Sequence, residues 1–199
     1  MYLYGAGGHA KVIMDILKAE GQVLEGVIDD NENLSELLGY PVLHGVKDIS
    51  PVIVSIGNNS IRQKIVKQLS GIFGNAVHPS AIVSESAKIG AGSVVMQGTV
   101  IQAESEVGKH CIVNTGASID HECVLEDYVH ISPHATLCGN VFVGEGSWIG
   151  AGSVVLPGIR IGKWSVIGAG SVVSKNMPDE VLAVGNRCEV IKNIRSLKI

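Results

Sequence analysis

A branched aliphatic residue recurs at every sixth position over a long stretch of this chain. Stepping by six from Val77 meets only Val, Ile or Leu up to Val173, and a mostly small residue stands four places after each. That period fits neither an α-helix nor an alternating β-strand. It predicts a parallel β-helix, in which each hexad forms one short strand and a turn and its branched residue points into the core.

The composition supports a core of stacked small and branched side chains, because the chain holds 25 glycines and only 4% aromatic residues. At three hexads per coil, the pattern predicts nearly six coils at a spacing of about 4.8 Å. No inserted loop interrupts the hexads. Any functional site must therefore use the surface of this prism together with whatever packs beside it, and a neighbouring subunit is the obvious candidate.

Residues 1–75 lack the hexad pattern and predict a separate α/β domain with a βαβαβ layout, one half of a Rossmann-like fold. Strands are expected at 2–4, 23–28 and 52–56, and helices after the first and the third. The apolar helix faces would consist of Ile13, Ile16 and Leu17 in the first helix and of Ile61, Ile65 and Leu69 in the second. Ligands usually bind at the carboxyl ends of such parallel strands.

A glycine-rich loop with the sequence GAGGHA precedes the first predicted helix. The free amides and the positive dipole at a helix N-terminus suit a phosphate group, so Gly7, Gly8 and His9 are candidate ligand-binding residues. A turn required only for helix and sheet packing is the alternative. A nicotinamide-dependent enzyme is disfavoured, because about 75 residues make only one mononucleotide-binding half.

Two aspartates, Asp29 and Asp30, end the second predicted strand. Their carboxylates could accept hydrogen bonds from a ribose or a base, and a simple turn pair is an equally good interpretation of the residues alone.

The segment IDHECV interrupts the repeat with a histidine and two carboxylates. By hexad position His121 and Glu122 fall at a turn, outside the prism. A carboxylate beside an imidazole favours its charged form and makes the ring a stronger proton acceptor, as a general base requires. A solvated surface histidine is the alternative. However, His130 is expected to point outward and Asn114 to occupy a turn one hexad before His121, so polar exceptions cluster in the middle coils.

Several other classes of function are disfavoured. Lys and Arg total 15 against 19 Asp and Glu, without a basic run, which argues against nucleic-acid binding. No signal peptide and no apolar stretch of about 18 residues is found, so a soluble cytoplasmic protein without membrane insertion is expected. A zinc site is the alternative use of His110, His121, His130 and His134, but no pair of them has a spacing that requires a metal, so none is predicted.

Together, these motifs carry a resemblance that covers essentially the whole chain. The hexads, the loop YGAGGHAK, the aspartates at 29–30, the segment IGNNSIR, and Asn114 followed after six residues by His-Glu are similar to bacterial hexapeptide-repeat nucleotide-sugar acetyltransferases. Within that group they look most like UDP-4-amino-sugar N-acetyltransferases of the sialic acid O-acetyltransferase-like family. The resemblance implies a left-handed β-helix and a homotrimer with sites between subunits.

The resemblance also implies a reaction and residue roles. Acetyl-CoA would donate an acetyl group to the 4-amine of a UDP-linked amino-dideoxy-sugar, with no metal. Catalysis is assigned to His121 as general base and Glu122 as its activator, the UDP-sugar site to Gly7, Gly8, His9, Asp29, Asp30, Gly57 and Asn114, and the acetyl-CoA site to His130, Ala151 and Ala169. Acetylation of an oxygen of sialic acid or another polysaccharide precursor is the alternative reaction, and a nucleotide-sensing scaffold is the alternative from another class.

Three domains are expected: a nucleotide-sugar-binding domain at 1–75, the β-helix at 76–177 and a capping tail at 178–199. The chain departs from many relatives near the coenzyme, because it lacks a GxPAK-like segment. The basic residues considered instead for the coenzyme 3′-phosphate are Lys163, Lys175, Lys192 and Arg195.

Overall fold

The computed structural model describes residues 1–46 and 48–194, and it confirms the predicted fold class. An α/β domain at the N-terminus is followed by a parallel β-helix, against which it packs. Along the described chain, no helix has the length and apolarity needed to span a lipid bilayer. Arg195, a candidate phosphate ligand in the sequence, lies outside the described residues.

The N-terminal domain is a five-stranded sheet with two helices. Its elements are β1 (Tyr2–Tyr4), α1 (Gly8–Ala19), β2 (Gly26–Ile28), β3 (Glu36–Leu37), β4 (Tyr40–Leu43), β5 (Val52–Val54) and α2 (Asn59–Val66). The strand order is β3-β4-β2-β1-β5, and every pair is parallel except β3–β4. The carboxyl ends of β1, β2 and β5 therefore meet at one edge of the sheet.

The connection between β2 and β5 differs from the expected layout, because the described part of it holds the β3–β4 hairpin and no helix. Leu38 and Gly39 form the two-residue loop, with φ angles of 49° and 86°. Positive φ at both positions matches the hairpin turn that continues the twist of the strands. Leu-Gly is a weaker signal for this turn than Asn-Gly, so the sequence pattern did not reveal it.

The two helices bury different kinds of surface. As predicted, α1 buries Ile13, Ile16 and Leu17 under the sheet. The predicted apolar face of α2 is only partly correct. Ile65 and Leu69 are partly buried against an apolar cluster of the N-terminal domain, but Ile61 is 49% exposed. The buried residues of α2 are Asn59, Arg62 and Val66. This polar face of α2 lies against turns of the β-helix, whose backbone carbonyls offer hydrogen-bond acceptors.

The β-helix consists of two-residue strands in the predicted hexad register. They are β6 (Ala76–Val77), β7 (Ile82–Val83), β8 (Lys88–Ile89), β9 (Val94–Val95), β10 (Val100–Ile101), β11 (Glu106–Val107), β12 (Ile112–Val113), β13 (Ser118–Ile119), β14 (Val124–Leu125), β15 (His130–Ile131), β16 (Thr136–Leu137), β17 (Phe142–Val143), β18 (Trp148–Ile149), β19 (Val154–Val155), β20 (Arg160–Ile161), β21 (Val166–Ile167) and β22 (Val172–Val173). From β9 to β19, each strand pairs in parallel with the strands three before and three after it.

The strands form three faces of a prism. The docked face, made of β6, β9, β12, β15, β18 and β21, carries the N-terminal domain, because Val94, Met96 and Ile112 share an apolar cluster with α1. The uncharged face consists of β7, β10, β13, β16, β19 and β22, and the mixed face of β8, β11, β14, β17 and β20. The antiparallel strands β23 (Val181–Val184) and β24 (Glu189–Asn193) extend the docked face and cover the last coil.

Small polar residues inside the prism satisfy the backbone at its corners. Ser93 is fully buried, and its hydroxyl donates to the carbonyl of Gly108 at 2.8 Å while it accepts from the amide of Cys111 at 2.9 Å. Ser147 repeats the pattern with Gly162 and Ser165. A buried hydroxyl is tolerated when it is hydrogen-bonded. At Ser93 and Ser147, the small residue of the hexad therefore joins the turns of adjacent coils.

Candidate functional site

The glycine loop forms an open surface at the start of α1. Gly5 has φ +111°, and a Cβ there would lie 2.5 Å from Cδ1 of Ile56, so glycine is required. At Gly7, the residue that caps α1, and at Gly8 and Gly57, a Cβ would meet no described atom within 4 Å. The first amides of a helix have no intrahelical acceptor. Gly7, Gly8 and Gly57 thus border a space where a ligand could approach the backbone closely.

Asp29 and Asp30 lie at the carboxyl end of β2, beside this loop. The two carboxylate oxygens of Asp29 accept from the amides of Ala6 at 2.7 Å and Asn31 at 2.8 Å. Asp30 accepts from the hydroxyl of Tyr4 at 2.5 Å. Burial, followed by this hydrogen bond, raises the pKa of Tyr4 to about 12. Asp29 therefore holds the glycine loop against the strand end, while the second oxygen of Asp30 has no such partner among the described residues.

His130 points away from the prism core, as predicted, but it is only 8% exposed because the N-terminal domain covers it. Burial, then the charges of Arg62 and His9, lowers its pKa to about 3. The backbone of Gly57 acts in the opposite direction and raises the pKa of His130. The Nδ1 atom of His130 nevertheless has no hydrogen-bond partner among the described residues. His130 is thus a neutral ring held between the two domains.

His9 lies in the first turn of α1, close enough to His130 for its charge to affect the pKa of His130. Burial and the charge of Arg62 lower the pKa of His9 to about 4, and its Nε2 has no hydrogen-bond partner among the described residues. The structure therefore brings His9 and Gly57, expected to bind the nucleotide sugar, close to His130, expected to bind acetyl-CoA.

Asn114 and an aromatic side chain complete the surroundings of His130. The Nδ2 atom of Asn114 lies 3.2 Å from Nε2 of His130. The ring of Trp148, one coil further along, stacks on the imidazole with centroids 5.5 Å apart and planes 5° apart. The indole N–H donates to the hydroxyl of Ser132 at 2.6 Å, so the orientation of the indole is fixed. Trp148 was missed in the sequence, where it occupies an ordinary outward position of a hexad.

His121 and Glu122 occupy the corner between the uncharged and mixed faces, and both side chains are more than half exposed. Nδ1 of His121 lies 2.9 Å from a carboxylate oxygen of Glu122. Because a carboxylate only accepts, this contact places the proton of the neutral ring on Nδ1 and leaves Nε2 as an acceptor. The ring lies against Gly139 of the next coil, where a Cβ would be 2.6 Å from Nε2.

Ala151 and Ala169 are exposed at the corner between the docked and uncharged faces, one coil apart, and Asn114 lies at the same corner. Within one chain, His121 lies at the opposite edge of the uncharged face. The structure thus groups Asn114, His130, Ala151 and Ala169, and it separates them from His121.

Two of the lysines considered for the coenzyme phosphate are already paired. Lys163 contacts Glu126 at 3.2 Å and Glu145 at 3.9 Å, and its pKa is raised by Glu126. Lys175 contacts Glu189 at 2.5 Å. Among the described residues, no three His, Cys, Asp or Glu side chains gather as a metal site.

Family models match both parts of the chain, with the PglD N-terminal domain at residues 1–69 and the bacterial transferase hexapeptide (six repeats) at 140–175. A point mutant of perosamine N-acetyltransferase from Caulobacter crescentus, in complex with CoA and GDP-perosamine, is 36% identical over 96% of each chain, with a TM-score of 0.89. The chain belongs to the hexapeptide-repeat sugar N-acetyltransferase family.

Two further members of the family support this assignment. The acetyltransferase domain of PglB from Neisseria gonorrhoeae, in complex with acetyl coenzyme A, is 36% identical over 96% of this chain and 98% of that one, with a TM-score of 0.87. UDP-N-acetylbacillosamine N-acetyltransferase of Bacillus subtilis is 41% identical over 107 residues. That match spans 50% of the relative and 47% of this chain.

Within this family fold, Arg62 is the buried residue that sequence reasoning overlooked, although it lies in the quoted IGNNSIR segment. It is 1% exposed and bonds to both domains. A charged residue one helical turn after Asn58, where an apolar residue would continue the helix face, is the signal that could have revealed it.

Proposed function

We propose that the chain is an acetyl-CoA-dependent N-acetyltransferase that acetylates the 4-amine of a UDP-linked 4-amino-4,6-dideoxy-sugar. The observation that carries this proposal is the 2.9 Å contact between Nδ1 of His121 and Glu122, in a chain of this family. It leaves Nε2 as a proton acceptor at an exposed corner of the β-helix. The assignment of UDP as the carrier rests on the similarity to UDP-N-acetylbacillosamine N-acetyltransferase of Bacillus subtilis.

In the proposed reaction, the 4-amine attacks the thioester carbonyl and a tetrahedral oxyanion forms. Nε2 of His121 takes a proton from the attacking nitrogen, and Glu122 stabilises the resulting imidazolium. The carbon–sulfur bond then breaks, and the proton passes to the thiolate of coenzyme A. No acyl-enzyme is required. General-base catalysis contributes roughly 10²- to 10⁴-fold, so holding the two substrates in line must supply much of the remaining acceleration.

The proposed binding residues follow the grouping in the structure. Gly7, Gly8, His9, Asp30 and Gly57 would bind the nucleotide at the open loop of the N-terminal domain. Asp29 would act mainly by holding that loop, since both of its oxygens already accept amide hydrogens.

The sugar and the thioester would meet beside the docked face. Asn114 would hold the sugar, His130 would contact the thioester, and Ala151 and Ala169 would line the groove for the pantetheine chain. The proposal is supported by the corner of the prism that Asn114, Ala151 and Ala169 share and by the contact of Asn114 with His130.

We further propose a homotrimer in which each site uses two protomers. The outward residues of the uncharged face carry no charge: they are Ile82, Val100, Ser118, Thr136, Val154 and Val172. If three such faces meet around an axis, the corner that carries His121 on one protomer approaches the corner with Ala151 on the next. A cytoplasmic location is part of the same proposal and rests on the sequence alone.

A GDP-linked 4-amino-sugar is a second candidate acceptor, because the Caulobacter relative is described in complex with GDP-perosamine. The carriers differ at the base, so the contacts near Asp30 would decide between them.

The test is to follow release of the coenzyme A thiol with acetyl-CoA and a panel of acceptors. We expect turnover with a UDP-linked 4-amino-dideoxy-sugar, and a loss of about 10²- to 10⁴-fold in kcat for His121→Ala at a similar KM. Faster turnover with the GDP-linked acceptor would favour the second candidate. Turnover with sialic acid but with neither amino-sugar, or full activity of His121→Ala, would contradict the proposed mechanism.

A further inference from the structure

Arg62 is a fully buried cation, and within residues 1–46 and 48–194 no carboxylate pairs with it. Its guanidinium has five N–H groups, and the structure gives it five acceptors. They are the carbonyls of His110 (2.8 Å), Ile56 (2.9 Å), Gly57 (3.2 Å) and Tyr128 (2.9 Å), and Oδ1 of Asn59 (2.9 Å). Burial lowers the pKa of Arg62 to about 10, so the side chain stays charged at neutral pH.

These acceptors belong to the two parts of the proposed site. Ile56 and Gly57 form the loop after β5, which borders the open surface for the nucleotide sugar. Tyr128 stands two residues before His130, and His110 stands four residues before Asn114, at the corner between the mixed and docked faces. The guanidinium of Arg62 therefore joins the backbone of the loop proposed to bind the nucleotide sugar to the backbone of the coils that lead to His130, the residue proposed to contact acetyl-CoA.

The turns that accept from Arg62 are themselves rigid. His110 and Tyr128 have φ angles of 55° and 62°, and their rings stack with centroids 5.2 Å apart. Phe73 packs edge-on against His110 with a centroid distance of 4.6 Å. Packed rings therefore brace the two turns whose carbonyls accept from Arg62.

A second contact between α2 and the β-helix lies outside this arrangement. Nε2 of Gln63 donates to Oε1 of Glu145 at 2.8 Å, next to the buried pair of Asn59 with Gly146 and Ser147. Among the described residues, no hydrogen bond joins Gln63 to the loop at Gly57 or to the coils before His130. It therefore offers a matched control for a domain contact that leaves the alignment of the two substrate sites unchanged.

We propose that Arg62 is a positioning residue that sets the distance between the nucleotide-sugar loop and the coil carrying His130, and thereby aligns the amine with the thioester. The inference rests on the proposed function. Its consequence is that loss of Arg62 lowers turnover of bound substrates more than it lowers their binding, because a misplacement of about 1 Å can cost about 10²-fold in rate.

The test compares Arg62→Lys with Gln63→Ala and the wild type in the thiol-release assay. Lysine keeps the charge but has three donors and no planar fork, so it cannot reach all five acceptors. We expect kcat to fall about 100-fold for Arg62→Lys, with both KM values within about threefold, and near wild-type values for Gln63→Ala. Circular dichroism and a melting curve establish that each variant is folded at the assay temperature.

If Arg62→Lys does not fold, Asn59→Ala serves in its place, because it removes one acceptor of Arg62 and two bonds to the β-helix. We expect a several-fold lower kcat at unchanged KM. An unchanged kcat, or a rise of both KM values in parallel with loss of folded protein, would overturn the inference. A wild-type protein without turnover would overturn the proposed function as well, so the two failures are distinguishable.

Discussion

At the scale of single residues, the position of His121 depends on a residue that has no side chain. Its ring occupies the space above Gly139, and a Cβ there would stand 2.6 Å from both Cε1 and Nε2. The solenoid places these residues 18 apart in adjacent coils, joined by the bond from the amide of Asn140 to the carbonyl of His121 at 2.9 Å. The backbone of Gly139 in the next coil therefore supports the ring of the proposed base.

Gly139→Ala should displace the imidazole from its contact with Glu122 and lower kcat by at least about tenfold, while the fold is retained because the ring is exposed and can move. Steady-state kinetics and a melting curve would measure this. Gly74→Ala is the matched control: its Cβ meets the mobile end of Met1, far from the site, and its activity should not change. Equal activities of the two variants would argue against a role for the ring position.

At the scale of elements, the three faces of the prism differ in the charge of their outward residues. The mixed face carries Lys88, Glu106 and Arg160, with an ion pair of 2.6 Å between the first two. The uncharged face carries only apolar residues, serine and threonine at the equivalent places. A charge that is buried without a partner is costly. The uncharged face is thus the one that a second and third copy of the chain can cover.

Val154→Glu, in the middle of the uncharged face, should convert the proposed trimer to monomers and abolish most turnover, because each site would lose the protomer that supplies His121. Light scattering coupled to size-exclusion chromatography reports the mass, and the thiol-release assay reports the activity. Val124→Glu places the same charge on the mixed face and should change neither. A Val154→Glu monomer with full activity would contradict a site shared between protomers.

The strands of the β-helix could be predicted from the sequence, because the position of each residue within its hexad determines whether its side chain points inward. Each inward residue of the β-helix is fixed by its own place in the hexad, so the core and the register were predictable from the period alone. The hairpin between β2 and β5 was not, because Leu38 and Gly39 adopt a turn that the residue types favour only weakly.

The contact of Arg62 with the β-helix could not be predicted from the neighbouring sequence, because its partners are distant in the chain. Arg62 is buried only because carbonyls 48 and 66 positions further along the chain accept from it. His121 and Glu122 were recognisable as exceptions to the repeat, and their contact is as expected. Their role, like the assignment of Gly7, Gly8, His9 and the other site residues, stays a prediction.

At the scale of the whole molecule, the two domains meet around neutral histidines. The pKa values of His9 and His110 are lowered to about 4 and that of His130 to about 3, in each case first by burial and next by Arg62. The ordinary value is about 6.5, so between these values the unfolded chain binds protons that the folded chain does not. These histidines therefore make their whole contribution to the free energy of unfolding above pH 6.5, and that contribution decreases as the pH is lowered towards 4.

Urea unfolding between pH 7.5 and 4.5 should show this loss, and His110→Phe should reduce its pH dependence by about one proton while the stack on Tyr128 is kept. Phe73→Leu is the control. It removes a ring from the same cluster but no titratable group, so it should lower stability by a similar amount at every pH. An unchanged pH slope in His110→Phe would show that this histidine is not held neutral in the folded protein.

The acceptors of Arg62 have one more consequence, for how such proteins can be recombined. Four of the five acceptors in the described structure are peptide oxygens, which every amino acid carries. The β-helix can therefore exchange side chains at positions 110 and 128 and still receive the arginine, provided that its turns keep their left-handed backbone. A hybrid that joins this N-terminal domain to a foreign solenoid has to match the path of the main chain at that corner, whereas the identities of the residues there are free to differ.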